Sequence, residues 1–288
     1  MMAVFRHELR LYFQSLTAYV FGAFLLAFVG IGAMLYNLQA AVSNFEYVLS
    51  FGSVVFVVIV PILTMRTLAE ERRQKTDQLL YSLPLSAASV ILGKYLALLT
   101  VYLVPLAMIS FYPLIFRQYG DVYLPTAYGS LAAFFLMGGA LIALGEFLSS
   151  LTDNQGFAAG IGIAVILVNY FSVSLAEYVS ATALGSAAAL FVLSALLGAL
   201  LYHLTQNDLL GYGVGLGLMG LTTLSYSLDS SRFEGLLPAM MRKLSLFARL
   251  ETFVNGVFDL TAVVYFLSVI CFFLFASVQS LEKRRYNG

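Results

Sequence analysis

Tryptophan is absent from this 288-residue chain, cysteine occurs once, and only 10% of the residues are charged. Each shortage excludes something. The lone Cys271 rules out an intramolecular disulfide and any paired-thiol redox or metal motif. Fifteen basic and fifteen acidic residues cancel to a formal net charge of zero, which argues against a nucleic-acid partner. His7 and His203 lie far apart, without a Cys or carboxylate at ligand spacing, so no metal is expected. A phosphate loop is also missing. Gly93-Lys94 is followed by Tyr95 and has alanine, not glycine, five residues before Gly93. The chain is therefore expected to bind no cofactor and not to bind ATP in that manner. A soluble globular protein carries about 25% charged residues, far more than this one does.

What is present is apolar sequence. Hydrophobic residues make up 61% of the chain and the mean hydropathy is +0.91. Eight apolar segments recur: Thr17–Leu38, Val48–Met65, Ser89–Phe116, Thr126–Ser150, Gly156–Ala176, Thr182–His203, Leu209–Leu228 and Val257–Ser280. Most approach or exceed the ~18–20 residues that cross a bilayer. All are expected as helices, because a backbone in lipid must satisfy its own polar groups. The Ala-rich sixth and Gly-rich seventh segments also fit a re-entrant or surface-lying pair. Gly215-x-Gly217-x-x-Gly220 matches a dinucleotide fingerprint but sits in an apolar run with no strand before it. Close helix packing explains it better, through the pairs Gly211/Gly215 and Gly213/Gly217, with Gly156/Gly160 a further pair. The first segment is too long for the core of a cleavable leader and lacks a cleavage pattern after it.

The scarce charges are concentrated. Arg6 and Arg10, then Arg66, Arg72, Arg73, Lys75 and Lys94, and finally Lys283, Arg284 and Arg285 all fall on one side of a six- or eight-span chain. The excess of Lys and Arg makes that side the cytosol and places both termini there. The loop between Leu38 and Tyr47 has no basic residue, as an outside loop should. Arg232, Arg242, Lys243 and Arg249 in the outside stretch 229–256 depart from the rule. In residues 1–16, Val4-Phe5, Leu9 and Tyr12-Phe13 recur at helical spacing with Arg6, Glu8 and Arg10 between them. That pattern fits an amphipathic helix on the inner membrane surface, or a plain basic anchor.

Residues 66–85 form the densest island of charge, between two apolar runs. No helix breaker stands between Ile62 and Leu83, so one helix is expected to leave the membrane there. Glu71/Lys75 and Glu70/Arg73 are at i,i+4 and i,i+3 spacing, and Leu79, Leu80 and Leu83 supply an apolar ledge. Pro84 then stops the helix and Ser86 is placed to cap the next. An ordinary cytosolic loop would need Lys and Arg, but not Glu70, Glu71, Asp77 and a helical pattern. A docking element explains them all. Of the polar residues within spans, Glu146 lies about a turn from the inner end of its segment and is expected to reach the interface or a basic neighbour. Asp259 sits at the outer end of the last span. Asn169, mid-segment, reads as a link between helices rather than a ligand. In 229–256, Leu236-Leu237, Met240-Met241, Leu244, Phe247 and Leu250 form the apolar stripe of one amphipathic helix.

The run Leu68-Ala69-Glu70-Glu71-Arg72-Arg73-Gln74-Lys75-Thr76, continued by Leu79-Leu80-Tyr81-Ser82-Leu83-Pro84-Leu85-Ser86 and Gly93-Lys94, resembles ABC-2 type transporter permeases. Lys75 replaces the small residue usual before the Thr. Glu8 to Phe13 with Ala18-Tyr19-Val20 resembles the family's N-terminal surface helix. Thr152, Asp153, Asn154 and Gln155, after Ser149-Ser150-Leu151, are similar to its short inner loop. Phe247 to Asp259, with Tyr265-Phe266-Leu267 and Leu281 to Arg285, resembles its last outer loop and span. The combination is nearest to the gliding-motility-associated and copper-maturation permeases. It is vague over 182–228.

This resemblance implies an all-α, polytopic transmembrane bundle of the ABC-2 exporter type, six to eight spans in one domain covering 1–288. It implies the membrane subunit of an ATP-driven exporter in a bacterial plasma membrane. Its partners would be cytosolic ATPase subunits carrying ATP and Mg, a second permease subunit, identical or related, and membrane lipid. Glu70, Glu71, Arg72, Arg73, Thr76, Leu79, Leu80 and Leu83 would couple to the ATPase, with Thr152 to Gln155 as a secondary contact. The competing class is an ATP-independent secondary transporter or membrane scaffold. An intramembrane enzyme ranks third, for want of a nucleophile and base at working spacing.

Overall fold

The computed structural model describes residues 1–75, 86–205 and 207–287; among these the chain is helical and contains no strand. Helix α1 is Met2–Gln14. It stops where Ser15 turns extended (φ −95°, ψ 158°) and its hydroxyl donates to the Tyr12 carbonyl at 3.0 Å. Helix α2, Leu16–Ala33, begins at once and unwinds into a π turn, Met34–Gln39. Two short helices follow, α3 (Glu46–Ser53) and α4 (Phe56–Thr64), bent by 59° at Val54-Val55. Pro61, inside α4, has no N–H to offer the preceding turn, which leaves this span locally weak. Then come α5 (Ala69–Arg73), α6 (Ala87–Ile109), α7 (Tyr112–Phe116), α8 (Leu124–Leu151) and α9 (Gln155–Tyr178). The remainder is α10 (Ala183–Thr205), α11 (Asp208–Leu228), α12 (Leu236–Leu244), α13 (Leu246–Val254) and α14 (Leu260–Asn287).

Six helical stretches among the described residues have the length and apolarity of a membrane crossing: Leu16–Gln39, Ala87–Phe116, Leu124–Leu151, Gln155–Tyr178, Ala183–Tyr202 and Leu260–Lys283. The bent pair α3–α4 makes a seventh if it counts as one span. Helix α11, the seventh segment of the sequence reading, is helical over its expected length but is not among them. The chain is a multi-pass membrane protein.

Contacts group the chain into two units: Met1–Tyr170 with Arg249–Arg285, and Phe171–Ala248 with Tyr286–Gly288. In the first, α8 is the central span and the most deeply buried of the crossing-length helices among the described residues. Its glycines admit neighbours. A Cβ on Gly145 would lie 2.2 Å from Thr64 Oγ1, so α4 presses directly on the α8 backbone. Around Tyr102 the rings of Phe21, Phe56 and Phe134 pack with centroids 4.8–6.5 Å apart, and the Tyr102 hydroxyl donates to the Phe134 carbonyl at 2.8 Å. Edge-to-face and tilted pairs of this kind add to simple burial.

In the second unit α10 and α11 pack along each other, and Gly198 meets Gly215 backbone to backbone; a Cβ on Gly198 would stand 2.7 Å from the Gly215 Cα. Gly211 and Gly215 therefore do serve packing, whereas added Cβ atoms at Gly213, Gly217 and Gly160 would meet nothing within 4 Å. The supposed dinucleotide fingerprint is the interior of helix α11.

Two expectations need correction. The helix leaving the membrane is not continuous over the described part of the island. Residues 65–68 form turns, α5 lasts five residues, and Lys75 takes a left-handed conformation (φ 58°). The Thr64 hydroxyl donates back to the Val60 carbonyl, and the Thr67 hydroxyl to the Thr64 carbonyl at the end of α4. The stripe from Leu236 to Leu250 is not one helix but two. Ser245 is extended (φ −67°, ψ 121°), and its hydroxyl accepts from the Ala248 amide at 3.2 Å, starting α13 afresh.

Candidate functional site

At one end of the first unit meet α1, the turn and helix after α4, the start of α6, and the ends of α8 and α14. Helix α1 buries Val4, Glu8 and Tyr12, which share one face at i, i+4 and i+8. It reaches α6 at Gly93, where an added Cβ would lie 3.0 Å from the Val4 side chain and 3.1 Å from the Met1 carbonyl. Next along α6, Lys94 is buried to 1% exposure. Its ammonium donates to Glu8 Oε1 at 2.6 Å, to Glu71 Oε1 at 2.7 Å and to the Thr67 carbonyl at 3.0 Å. All three of its hydrogens are thereby used, as a buried ammonium requires. One cation ties the N-terminal helix, the segment after the second span and the third span together.

A second set of contacts holds the same segment from the other side. Ser149 Oγ of α8 accepts from the amides of Leu68 and Ala69, both at 3.2 Å, and donates to the Met65 carbonyl at 3.2 Å. The buried Arg72 guanidinium donates to the Ser150 carbonyl and stands 4.0 Å from the exposed Asp153 carboxylate. Ser280 of α14 also donates to the Ser150 carbonyl, at 3.0 Å. Leu68 packs with Ala87, Val90, Ile91 and Leu281. Arg66 pairs with Glu70 (Nε to Oε2, 2.7 Å; Nη2 to Oε1, 3.1 Å) and donates to Thr17 at 3.0 Å, reaching the start of the first span. The Glu70 hydrogen bond holds the Arg66 guanidinium above its ordinary range.

Several expected residues thus come together. Glu71 and Arg72 are joined to neighbouring helices, and Glu70 to Arg66 within its own segment, through partners the sequence reading did not name; Arg73 is exposed. The island and the short loop after the fourth span, read separately from the sequence, meet at Arg72, Ser150 and Asp153. Asn154 is a cap, its Oδ1 accepting from the amides of Gly156 at 2.9 Å and Phe157 at 3.3 Å, while Thr152 accepts from the Asn154 amide. Gln155 opens α9. Thr76, Leu79, Leu80 and Leu83 lie outside the described residues. Asp259 is likewise a cap. It accepts from the Thr261 amide at 2.8 Å, stands 3.8 Å from Arg249, and is held below the usual carboxylate range by the bonds from Thr261. Asn169 is half-buried in α9.

Glu146 departs from its expected role. It is fully buried in α8, and neither carboxylate oxygen has a hydrogen-bond partner among the described residues. It does not reach solvent, and among the described residues it forms no ion pair. Tyr12 lies near it, and burial, with the Glu8 and Glu146 carboxylates adding, pushes the Tyr12 phenol well above its ordinary value. The sequence reading missed Glu8 and Lys94 as a site, counting Lys94 as an orientation signal and as half of the Gly93-Lys94 pair. The signal was available: a lysine two turns inside an apolar span requires a counter-charge, and Glu8 shares a helix face with Val4 and Tyr12.

Residues 35–173 match the family model described as ABC-2 family transporter protein. The match takes in just under half of the chain, from the end of the first span into α9, and it contains the island, Lys94, Glu146 and Asp153. It supports an ABC-2 type permease without singling out a subfamily. No curated protein and no solved structure matches the chain. The helical bundle with six crossing-length helices agrees with an ABC-2 membrane domain.

Proposed function

We propose that this chain is the membrane-spanning permease subunit of an ATP-driven exporter, powered by a separate cytosolic ATPase that docks on residues 66–85. The observation that carries this is the Lys94 junction. A force applied to the segment around Glu71 is passed through one buried cation to α6 and to α1, and through Arg72 and Ser149 to the end of α8. A charged loop that only marked orientation would need no such anchoring. The family match over 35–173 supports the same reading. ATP and Mg would sit on the ATPase, and a second permease subunit, identical or related, would complete the path. On this reading the charged end faces the cytosol of a bacterial cell, with both termini inside.

The test is co-expression with the cognate ATPase. Leu80→Asp should release the ATPase while the chain still inserts, because an apolar ledge supplies the burial and charges at its rim supply the register. Arg73→Glu, at an exposed site, should weaken the association in a salt-dependent manner. Full assembly and full ATP-dependent transport by Leu80→Asp would remove the docking assignment.

A further inference from the structure

The other end of the first unit carries a different arrangement. A cavity of about 380 Å³ opens among the residues that join the first span to α3, those that precede α8, and those that follow α13. Glu46 lines it. This residue is 2% exposed, and its Oε2 is buried without a hydrogen-bond partner among the described residues. Asp121 supplies a second carboxylate, Asn44 and Asn255 supply amides, and the exposed Tyr47 and Tyr123 supply aromatic rings; among the described residues no lining residue is basic. A second recess of about 280 Å³ shares Ser43 with the first and is lined largely by apolar side chains, among them Leu38, Val42, Ile115 and Phe116.

A buried carboxylate oxygen without a donor is costly to the fold, and a ligand that brings a donor removes that cost. Two carboxylates without a third acidic, His or Cys group do not make a metal site, and no cluster of three such groups exists among the described residues. Carboxylates, amides and aromatic rings together suit an organic ammonium, which takes hydrogen-bond acceptors and ring faces alike. The adjoining apolar recess suits a hydrocarbon chain.

We propose that the two recesses form one binding site for a cationic amphiphile, its ammonium head against Glu46 and its apolar chain beside Val42 and Phe116. The head belongs either to a soluble alkylamine or to an aminophospholipid, which share this chemistry. The proposal does not depend on the exporter reading, because it concerns equilibrium binding to this chain alone.

The test uses the full chain in a neutral detergent, with thermal melting followed by circular dichroism. Octylammonium should raise the melting temperature as a ligand of the folded state does. Octanol should not, and ethanolamine, a head without a chain, should act only at much higher concentration. Glu46→Gln should require about tenfold more octylammonium for the same shift, the difference between a charged and a neutral hydrogen bond. Asp121→Asn, at an exposed position that folding tolerates, should require severalfold more. A shift of the octylammonium midpoint on adding phosphatidylethanolamine to the micelles identifies the lipid headgroup as occupant, and an unchanged midpoint identifies the soluble amine. Equal responses of the parent, Glu46→Gln and Asp121→Asn chains would overturn the proposal. So would octanol or ethanolamine matching octylammonium.

Discussion

The two ends of the larger helical unit handle buried charge in opposite ways. At one end Lys94 is enclosed by two carboxylates and a carbonyl, and Arg72 and Ser149 bind backbone groups of neighbouring elements. At the other end Glu46 is as deeply buried and lines a cavity, but its Oε2 has no donor among the described residues. Enclosed and satisfied, charge locks elements to one another. Enclosed and unsatisfied, it leaves a place for a ligand. The first end has the character of a joint and the second that of a receptor. Glu146 belongs with neither. It is buried beside the joint, yet its carboxylate takes no part in the bonding.

The largest effect expected is at the joint. Lys94→Met fills the same space but strands Glu8 and part-buried Glu71 without their cation, which should cost roughly 3–5 kcal/mol, the range for breaking a buried pair from one side. Thermal melting of the purified chain measures it. Adding Glu8→Gln to Lys94→Met should recover part of the loss, since one stranded charge is then gone. If Lys94→Met melts like the parent, the joint is not a joint, and the contrast between the two ends collapses.

A smaller loss is expected from packing just beneath the joint. In Gly145→Ala the new methyl would collide with Thr64 Oγ1 and Cβ, at 2.2 and 2.9 Å, and Thr64 is a stiff residue whose hydroxyl already bonds the Val60 carbonyl. Forcing α4 from α8 should cost about 1–3 kcal/mol. Gly160→Ala, in open space on α9, should cost nothing by this mechanism and serves as the control. Equal melting temperatures for the two variants would show that α4 and α8 do not press together.

The smallest effect sharpens the picture of α1. Tyr12 is raised above the ordinary tyrosine value of about 10 by burial first and by neighbouring carboxylates second. A raised value means the folded chain holds this proton more tightly than the unfolded one. The stability so contributed is whole below pH of about 10 and is lost as pH climbs further. Tyrosinate absorbance between about pH 10 and 11 should therefore be the same in Tyr12→Phe as in the parent. One tyrosine's worth of absorbance missing from the variant in that window would place Tyr12 in water and α1 off the bundle.

How much was legible beforehand depends on the range of the interaction. Apolar runs of crossing length specify helices almost alone, because lipid offers the backbone no alternative partner. Hence the first, third, fourth, fifth, sixth and last spans fell where composition put them, within a few residues. The break at Val54-Val55 was hidden in an unbroken apolar run, and the restart at Ser245 lay within a continuous stripe, since a hydroxyl that caps and one that merely points outward look alike in one dimension. In the island, spacing along the helix suggested Glu71 with Lys75, whereas Glu71 bonds a lysine 23 residues away. Local pairing is worth a few tenths of a kcal/mol, and satisfying a buried ammonium is worth far more, so the distant partner wins.

By itself the sequence determined the class of this protein: a helical, multi-pass membrane chain with its charges gathered at few places and no phosphate loop of its own. Only the tertiary structure decided which charges are buried together. It put Glu8 and Glu71 on Lys94, set Arg72 against the loop at Ser150 and Asp153, and left oxygens of Glu46 and Glu146 without donors among the described residues. The physical reason is that burial is a property of neighbours. A carboxylate is spelled the same way whether water, a lysine or nothing at all lies across from it, and its energy differs by several kcal/mol among the three.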